Sequence, residues 1–233
     1  MTDAPPVLAS ETARMTVVTD AKTECVAAFD FDGTLSTRDS FLPYLRIVAG
    51  TRDLARAMAA AAPELAAGRR DPSRRDVAKA IVLRGTLAGR SESYLRDVGA
   101  RYARLVVARR LAPDTVARLE QHRADGHDVV LVSASLHVYL DPIAELLGAD
   151  AVLATALEVD ADGRCTGEIA GANVRGAEKV HRLDAWLEGR DVVIHAYGDS
   201  SGDDELLARA HHGNRVGRNR GRRIGGGRRE TLR

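Results

Sequence analysis

Short apolar runs recur along this chain, and each of them ends in polar residues. The runs at residues 25–29, 128–132 and 192–197 are nearly continuous rather than alternating, which is typical of parallel strands covered on both faces. Stretches with the spacing of amphipathic helices separate them. This alternation predicts an α/β fold with a central parallel sheet flanked by helices.

The second half of the chain extends the pattern. A helix is predicted at residues 139–147 and a strand at residues 151–155. Residues 157–159 and 165–169 then predict a hairpin around a turn that contains Asp and Gly. A last core strand is expected near Val216, where the sequence shows it only faintly. The core is therefore predicted to be Rossmann-like.

Between the first and second apolar runs the chain carries only helical patterns. Helices are predicted at residues 51–68, 76–84, 94–110 and 114–124, separated by Pro and Gly positions. We therefore predict a helical cap domain at residues 39–125, inserted into a core of residues 22–38 and 126–214.

The predicted cap is rich in arginine and alanine. Candidates to bind a substrate carboxylate or a second phosphate are Arg46, Arg52, Arg56 and Arg84. The alternative is that they lie on solvated helix faces with their apolar stems packed down.

Two carboxylates follow the first apolar run directly. Asp30 and Asp32 point to the same side if the extended conformation continues past Phe29. Neighbouring carboxylates repel, so the pair requires a shared proton or a bound cation. Gly33 permits a sharp turn and Thr34 returns a hydroxyl to the same point. The alternative is a solvated Asp-Gly turn, which is common.

Three further motifs follow in order. Ser133 ends the second run, Lys179 begins a helical pattern, and the third run opens into Gly198-Asp199 and the acidic residues from Asp203 onward. Taken singly, these are a helix cap, a surface charge and helix N-terminal charges. Taken together, they lie at strand carboxyl ends or helix starts, where open α/β sheets bind ligands.

These motifs make the chain resemble the haloacid dehalogenase (HAD) superfamily of phosphohydrolases over roughly residues 25–210. The insert just after the first motif is similar to that of subfamily IB, which has a C1-type helical cap and includes the phosphoserine phosphatases. The resemblance implies an enzyme, a Mg²⁺-dependent phosphatase that acts on a small phosphate ester.

The resemblance also implies roles for the acidic residues of the motifs. Asp30 is expected to be the nucleophile that forms an aspartyl-phosphate, and Asp32 the general acid and base. Mg²⁺ is expected to bind Asp30, Asp199 and the backbone carbonyl of Asp32, since oxygen ligands suit it. Asp203 is expected to orient Lys179 or a metal-bound water.

The remaining motif residues are expected to contact the phosphoryl group. Thr34 and Ser133 would donate hydrogen bonds to its oxygens, and Lys179 would offset the negative charge of the nucleophile and the substrate. The residues Asp204 and Glu205 are read as helix N-terminal charges without a catalytic role.

Departures from the phosphoserine phosphatase pattern concern the substrate. Gly33 replaces a Ser, Asp39 replaces a Glu nine positions after the nucleophile, and Gly202 replaces an Asn. Asp39 keeps the charge that would bind a substrate ammonium, or else caps the following helix. The expected substrate is a phosphoserine-like or related ester that bears an amino or carboxyl group.

Composition fits a cytoplasmic enzyme. The chain has 233 residues, 45% of them hydrophobic, and two cysteines, Cys25 and Cys165, which form no disulfide framework. No apolar run is long enough to cross a membrane, and the first residues lack the pattern of a signal peptide. The sequence does not indicate an oligomeric state.

The two ends differ from the middle. Residues 1–21 are polar and predicted to be a disordered extension. Residues 215–233, with eight arginines and one glutamate, are predicted to be a basic, disordered tail. Such a tail solubilises the chain or binds nucleic acid. The alternatives to a phosphatase are therefore a nucleic-acid-binding protein that uses this tail, or a phosphomutase or phosphotransferase on the same core. Dehalogenation is disfavoured, because Asp32 and Asp199 serve phosphoryl chemistry.

Overall fold

A computed structural model describes residues 24–71 and 73–217 of the chain. Seven helices and six strands lie in these ranges, in the order β1 Cys25–Phe29, α1 Phe41–Ala67, α2 Ser73–Leu87, α3 Glu92–Arg109, α4 Pro113–Ala124, β2 Asp128–Leu136, α5 His137–Leu147, β3 Ala151–Val159, β4 Cys165–Ala170, α6 Ala177–Leu187, β5 Val193–Gly198, α7 Asp204–Arg209 and β6 His212–Arg215. Residues 1–23 and 218–233 lie outside the described ranges, and with them most of the predicted tails.

The strands form one sheet in the order β4-β3-β2-β1-β5-β6. All neighbours pair in parallel except β3 and β4, which are antiparallel. Strand β1 lies inside the sheet, where Ala27 pairs with Val129 of β2 and His195 of β5. The predicted α/β fold with a mainly parallel sheet is confirmed.

Both faces of the central strands are buried. Phe29 and Leu131 pack into the core on one face, whereas Val26, Ala28 and Val130 pack into the core on the other. Burial of each large apolar side chain contributes roughly 1.5–3 kcal/mol. This two-sided burial is the physical reason that the strands read as continuous apolar runs.

Strand β3 differs from the prediction of two separate strands. Its first residues pair in parallel with β2, and its last residues pair antiparallel with β4. No turn residue interrupts the chain between Thr155 and Leu157, so one strand continues from the sheet into the hairpin.

The last strand, β6, is short and polar. It pairs with β5 and ends at Arg215, and the N–H of Val216 donates to the carbonyl of Gly198 at 2.8 Å. All four of its side chains are exposed, so backbone hydrogen bonds rather than an apolar run hold it to the sheet edge.

The cap consists mainly of α1, α2 and α3. Helix α1 is interrupted at Gly50, whose φ is 81°, and its second half packs along α2. Between α2 and α3 the chain joins the β3–β4 hairpin, since the N–H of Gly89 donates to the carbonyl of Cys165 at 2.8 Å and the N–H of Cys165 donates to that of Arg90 at 2.8 Å. These bonds attach the cap to the core.

Helix α4 packs against the sheet, although it was expected to be the last helix of the cap. His122 is buried on its inner side, where its ring lies 6.1 Å from that of Phe29 and its Nε2 is 2.9 Å from the Tyr197 hydroxyl. Helix α4 thus contacts the sheet as well as ending the predicted insert, and the insert bounds 39–125 stay a prediction. Among the described residues, no helix is long and apolar enough to span a membrane, and Cys25 and Cys165 form no disulfide bond.

Candidate active site

Three neighbouring strands deliver the site residues to one edge of the sheet. Asp30 follows β1, Ser133 lies near the end of β2, and Asp199 follows β5. The N–H of Asp30 donates to the carbonyl of Tyr197 at 2.9 Å, so the ladder between β1 and β5 reaches the site. Because these strands are parallel, their carboxyl ends meet where a ligand is expected.

The chain turns immediately after Asp30 instead of continuing as a strand. The N–H groups of Thr34 and Ser36 both donate to the carbonyl of Phe31, at 3.2 and 2.8 Å. Gly33 adopts a φ of 90°, and a Cβ there would collide with the Asp199 carboxylate. The turn therefore requires glycine, and it separates the surroundings of Asp30 from those of Asp32.

A buried ammonium lies between two carboxylates. Lys179 Nζ donates to Asp30 Oδ1 at 2.6 Å and to Asp203 Oδ1 at 2.6 Å. All three side chains are buried, with Lys179 only 2% exposed. Helix α6 supplies the lysine from its first turn, as the helical pattern predicted.

Burial and charge compete in setting the pKa values of this triad. Burial raises the pKa of Asp30, and the Lys179 ammonium offsets this only in part. Burial alone would lower the pKa of Lys179, but the two carboxylates raise it, so the lysine is charged. Burial also opposes ionisation of Asp203, yet Lys179 and the Ser200 donors hold its pKa below the ordinary value.

Asp203 also orders the loop after β5. Its second oxygen, Oδ2, accepts hydrogen bonds from the N–H of Asp199 at 3.2 Å and from the N–H and hydroxyl of Ser200 at 2.9 and 3.0 Å. Both oxygens of Asp203 are thus engaged, an arrangement in which it orients Lys179 and the loop that carries Asp199.

An acidic cluster suited to a divalent cation lies at the same point. Carboxylate oxygens of Asp30, Asp199 and Asp203 lie within 4.8 Å of one another. Asp203 Oδ2 accepts three hydrogen bonds from the Asp199–Ser200 loop, whereas Asp30 Oδ2 accepts a longer one, from Thr34 at 3.2 Å, so Asp30 and Asp199 could hold a cation there. Hard oxygen ligands in a small cluster fit Mg²⁺, and a cation there would favour the ionised form of Asp30.

Asp32 lies in a ring of hydroxyl groups. Its Oδ2 accepts from the hydroxyls of Ser40 and Ser135 at 3.0 and 2.8 Å, and its Oδ1 accepts from the N–H of Ser40 at 2.9 Å. Burial, together with the negative charge of Asp39, raises the pKa of Asp32 to about 7. A carboxyl group with that pKa can both donate and accept a proton near neutrality.

Thr34, Ser133 and Asp39, which are predicted to bind substrate, all lie at the site but have different contacts. Thr34 Oγ1 donates to Asp30 Oδ2 at 3.2 Å, and the buried Ser133 lines the cavity above Asp30. Asp39 also lines this cavity, while its Oδ2 accepts from the N–H of Leu42 at 3.1 Å at the start of α1. The geometry of Asp39 is thus that of a helix-capping residue at the cavity edge.

Sequence reasoning missed a lysine that connects the cap to the core. Lys79 Nζ, from α2, donates to the carbonyl of Ala134 at 2.6 Å and to Asn173 Oδ1 at 2.5 Å. The other end of that amide, Asn173 Nδ2, donates to Asp76 Oδ1 at 2.6 Å. Burial lowers the pKa of Lys79 to about 8. No local motif marks Lys79, since its partners are distant in sequence.

A cavity of about 480 Å³ lies above these groups, between core and cap. Its basic lining from the cap comes from Arg69, Arg75 and Lys79, not from the four arginines proposed from the sequence. Two of those four form surface ion pairs instead, Arg56 with Asp53 and Arg84 with Glu168.

The sequence patterns also did not identify Ser40, because its role depends on a turn that brings it back to Asp32.

A sequence model of the family described as haloacid dehalogenase-like hydrolase matches residues 27–208. Protein CicA of Caulobacter vibrioides is 39% identical over 184 residues, which are 78% of this chain and 82% of CicA. The histidinol-phosphatase of Neisseria meningitidis is 30% identical over 95 residues, 38% of this chain and 43% of that protein.

A solved structure shares the fold. The crystal structure of a probable phosphoserine phosphatase from Vibrio cholerae superposes with a TM-score of 0.59 at 18% identity, and the match covers 83% of this chain and 55% of that one. At this identity the likeness concerns the fold.

Proposed function

Because this chain belongs to the haloacid dehalogenase-like hydrolase family, we propose that it is a Mg²⁺-dependent phosphomonoesterase that forms an aspartyl-phosphate on Asp30. The observation that carries this proposal is the Asp30–Lys179–Asp203 triad at the carboxyl end of β1, beside Asp199 and below a cavity. Among the activities of this family, phosphatase activity fits this set of groups best.

The triad addresses the main obstacle to the reaction. A phosphate dianion and a carboxylate nucleophile repel each other, so their charges require a positive counterpart. Lys179 supplies one buried charge, and Mg²⁺ bound by Asp30, Asp199 and the Asp32 carbonyl would supply further neutralisation. Thr34 and Ser133 would hold the phosphoryl oxygens.

The proposed reaction has two displacements. A carboxylate oxygen of Asp30 attacks phosphorus while the ester P–O bond breaks, and protonated Asp32 gives its proton to the departing alkoxide. Asp32 then takes a proton from a water molecule whose oxygen attacks phosphorus. The bond between phosphorus and Asp30 breaks, inorganic phosphate leaves, and both side chains return to their starting forms.

The proposed substrate is a small phosphorylated metabolite, phosphoserine-like or otherwise bearing an amino or carboxyl group. Two of the similar proteins carry names that refer to phosphoserine and to histidinol phosphate, which places both compounds in the test panel. Arginines at the cavity support the carboxyl group more than the amino group, because Asp39 is already engaged by the N–H of Leu42.

Phosphate release from a panel of phosphomonoesters, measured with Mg²⁺ or with EDTA, tests the proposal. We expect metal-dependent release that falls on the order of 10³-fold or more in Asp30→Asn. Asp204→Asn is the matched control, since it removes a surface carboxylate that pairs with Arg215. Undiminished turnover by Asp30→Asn would refute the mechanism, and phosphoryl transfer to a second alcohol without phosphate release would show a phosphomutase or phosphotransferase.

A further inference from the structure

We infer that the cavity above Asp30 selects phosphate esters whose leaving group has an apolar body and an anionic end. This inference rests on the proposed phosphatase function and deepens it by naming the substrate class. The name "leaving-group cavity" is used below for the space of about 480 Å³ between the cap and the Asp30 edge of the sheet.

The cap side of the leaving-group cavity is mostly apolar. Helices α1 and α2 supply its wall, which consists of Phe41, Leu42, Met58, Leu65, Ala78 and Val82. A volume of this size lies within the range of roughly 300–1,000 Å³ that is usual for small-molecule sites. An apolar wall beside a phosphoryl site stabilises a substrate only if the leaving group has apolar surface to bury.

Lys79 is not available to bind the anionic end. Its ammonium already donates to Ala134 and Asn173, and it lies 3.5 Å from Thr155 Oγ1. These contacts match the three protons of an ammonium group. Lys79 therefore forms part of the inner wall of the leaving-group cavity, and the arginines are the residues that would bind the anionic end.

Arg69, Arg75 and Arg175 supply the positive charge of the lining. Arg75 Nε donates to the carbonyl of Gly68 at 3.1 Å, which fixes the side chain against the turn between α1 and α2. Within the ranges that the structure describes, the terminal nitrogens of Arg75 form no hydrogen bond with protein. A guanidinium held in this way can bind a carboxylate or phosphate through two parallel hydrogen bonds.

Two acidic residues of the same lining that lie away from the reacting groups, Asp39 and Asp76, are each engaged by a protein donor. Asp76 accepts from Asn173 Nδ2 at 2.6 Å, and Asp39 accepts from the N–H of Leu42. Both carboxylates therefore serve the protein's own structure. In the part of the chain that the structure describes, the terminal nitrogens of Arg75 are not engaged by protein, whereas Asp39 and Asp76 each accept a hydrogen bond. This difference favours an anionic over a cationic end of the leaving group.

A homologous series of substrates tests the apolar body. For n-alkyl phosphates from methyl to octyl we expect kcat/KM to rise about fourfold for each methylene that is buried, until the wall is covered. In Met58→Gln, which keeps the side-chain length but adds an amide, this rise should be clearly shallower. Leu105→Gln is the control, since Leu105 is half exposed on α3 and does not line the cavity.

A second series tests the anionic end. Among alkyl phosphates of equal length, an ω-carboxyl group should raise kcat/KM, and Arg75→Gln should reduce that preference about tenfold, chiefly through KM. Arg74→Gln is the matched control, because Arg74 pairs with Glu64 at the surface. A preference for ω-amino over ω-carboxyl esters would overturn the inference.

Acetyl phosphate distinguishes a failure of the proposed phosphatase function from a failure of the proposed substrate class. Its leaving group is too small to reach the wall, so the two control variants, Leu105→Gln and Arg74→Gln, should hydrolyse it like the original chain. Any loss in Met58→Gln or Arg75→Gln should be smaller than the loss of the same variant on the long esters. No turnover of acetyl phosphate or any ester with Mg²⁺ would refute the phosphatase function itself. Turnover of acetyl phosphate with a flat alkyl series would refute only the substrate class.

Discussion

Lys179 carries a charge in the protein interior, where an unpaired charge is destabilising. Its two carboxylate partners stabilise the charged form. An unpaired buried ammonium would lose its proton or destabilise the fold. Here Asp30 and Asp203 each approach Nζ to 2.6 Å. The triad thus links stability to the nucleophile, because both depend on the same three groups.

Asp203→Asn should lower the free energy of unfolding by about 2–4 kcal/mol, since it breaks a buried ion pair and weakens the Ser200 loop. Urea unfolding followed by circular dichroism measures this. Asp204→Asn, which removes only the surface pair with Arg215, should cost less than about 1 kcal/mol. Equal losses in the two variants would show that the Asp203 pair contributes no more than a surface one.

His122 is a second buried titratable residue, remote from the reacting groups. Its Nδ1 lies 2.8 Å from that of His127, and its Nε2 lies 2.9 Å from the Tyr197 hydroxyl. The ring of His195 is also near, at 4.9 Å. Burial, with these two imidazoles and Arg118, lowers the pKa of His122 to about 4, and Asp125 opposes this only weakly.

The lowered pKa of His122 predicts acid sensitivity. Below pH 6.5 this residue binds a proton in the unfolded chain but stays neutral in the folded chain. The free energy of unfolding should therefore fall as the pH is lowered from 6.5 to about 4. The expected loss is on the order of 2 kcal/mol. In His122→Gln, whose amide can still form a hydrogen bond with the Tyr197 hydroxyl, the free energy of unfolding should change less steeply with pH. Chemical denaturation at a series of pH values measures it.

His181→Gln is the control for that experiment, because it removes an imidazole that is 76% exposed. The same change of slope in both variants would contradict the assignment to His122.

At the scale of elements, close backbone approach holds α3 against α5. A Cβ at Gly99 of α3 would collide with the carbonyl oxygen of Val138 and lie 2.8 Å from its carbonyl carbon. Glycine in a helix costs about 1 kcal/mol relative to alanine. The packing of the cap helix on the core must outweigh that cost for glycine to be the better residue here.

Gly99→Ala should therefore destabilise the protein by about 2 kcal/mol or more, although helix propensity alone predicts a gain. Thermal unfolding distinguishes the two effects. Gly85→Ala is an informative comparison, because its new Cβ meets Ala57 Cβ at 2.8 Å and Ala57 Cα at 3.4 Å, a milder conflict than that of Gly99 with a backbone carbonyl. A higher melting temperature for Gly99→Ala would show that α3 moves freely away from α5.

Helix α2 is tied to the core through Lys79, which reaches the end of strand β2 at Ala134. Its bond to the carbonyl of Ala134 connects the cap to the residues that surround Asp32. These contacts are partly buried. Removal of the ammonium takes a donor from the Ala134 carbonyl, whereas Asn173 Oδ1 still accepts from the Thr155 hydroxyl at 3.0 Å.

Lys79→Met should lower the melting temperature and also reduce kcat for acetyl phosphate several-fold, because Ser135 and Asp32 lose their support. Lys79→Arg should restore part of both. Arg84→Met on the same helix breaks only a surface pair with Glu168 and should change neither by much. A loss of stability with unchanged kcat would show that Lys79 supports the fold alone.

At the scale of the whole molecule, metal binding and folding should be coupled through the carboxylate cluster. Asp30 and Asp199 come from different strands, so only the folded chain brings them together. A ligand that binds the folded state alone stabilises it, by about 2.7 kcal/mol at one hundred times its dissociation constant.

Addition of Mg²⁺ should therefore raise the melting temperature of the protein, and EDTA should reverse this. In Asp199→Asn the shift should be much smaller, although removal of one repelling carboxylate should stabilise the metal-free protein. Differential scanning calorimetry measures both quantities. An equal Mg²⁺ shift in both proteins would place the metal elsewhere.

Much of this molecule follows from local sequence patterns. The apolar runs predict β1, β2 and β5, because strands buried on both faces admit no polar positions. The order of Asp30, Ser133, Lys179 and Asp199 along those patterns predicts one shared site, because parallel strands bring their ends together. The helical character of the cap follows from periodicity in the same way.

Contacts between distant residues were decided by the tertiary structure alone. The turn after Asp30 returns Ser40 to Asp32, and the packing of α2 brings Lys79 to Asn173, 94 residues away. Helix α4 contacts the sheet through His122, which lies beside Phe29 and Tyr197, a contact that the periodicity of the helix does not specify. Spacing encodes which face of an element is apolar, but only packing decides which neighbour covers that face.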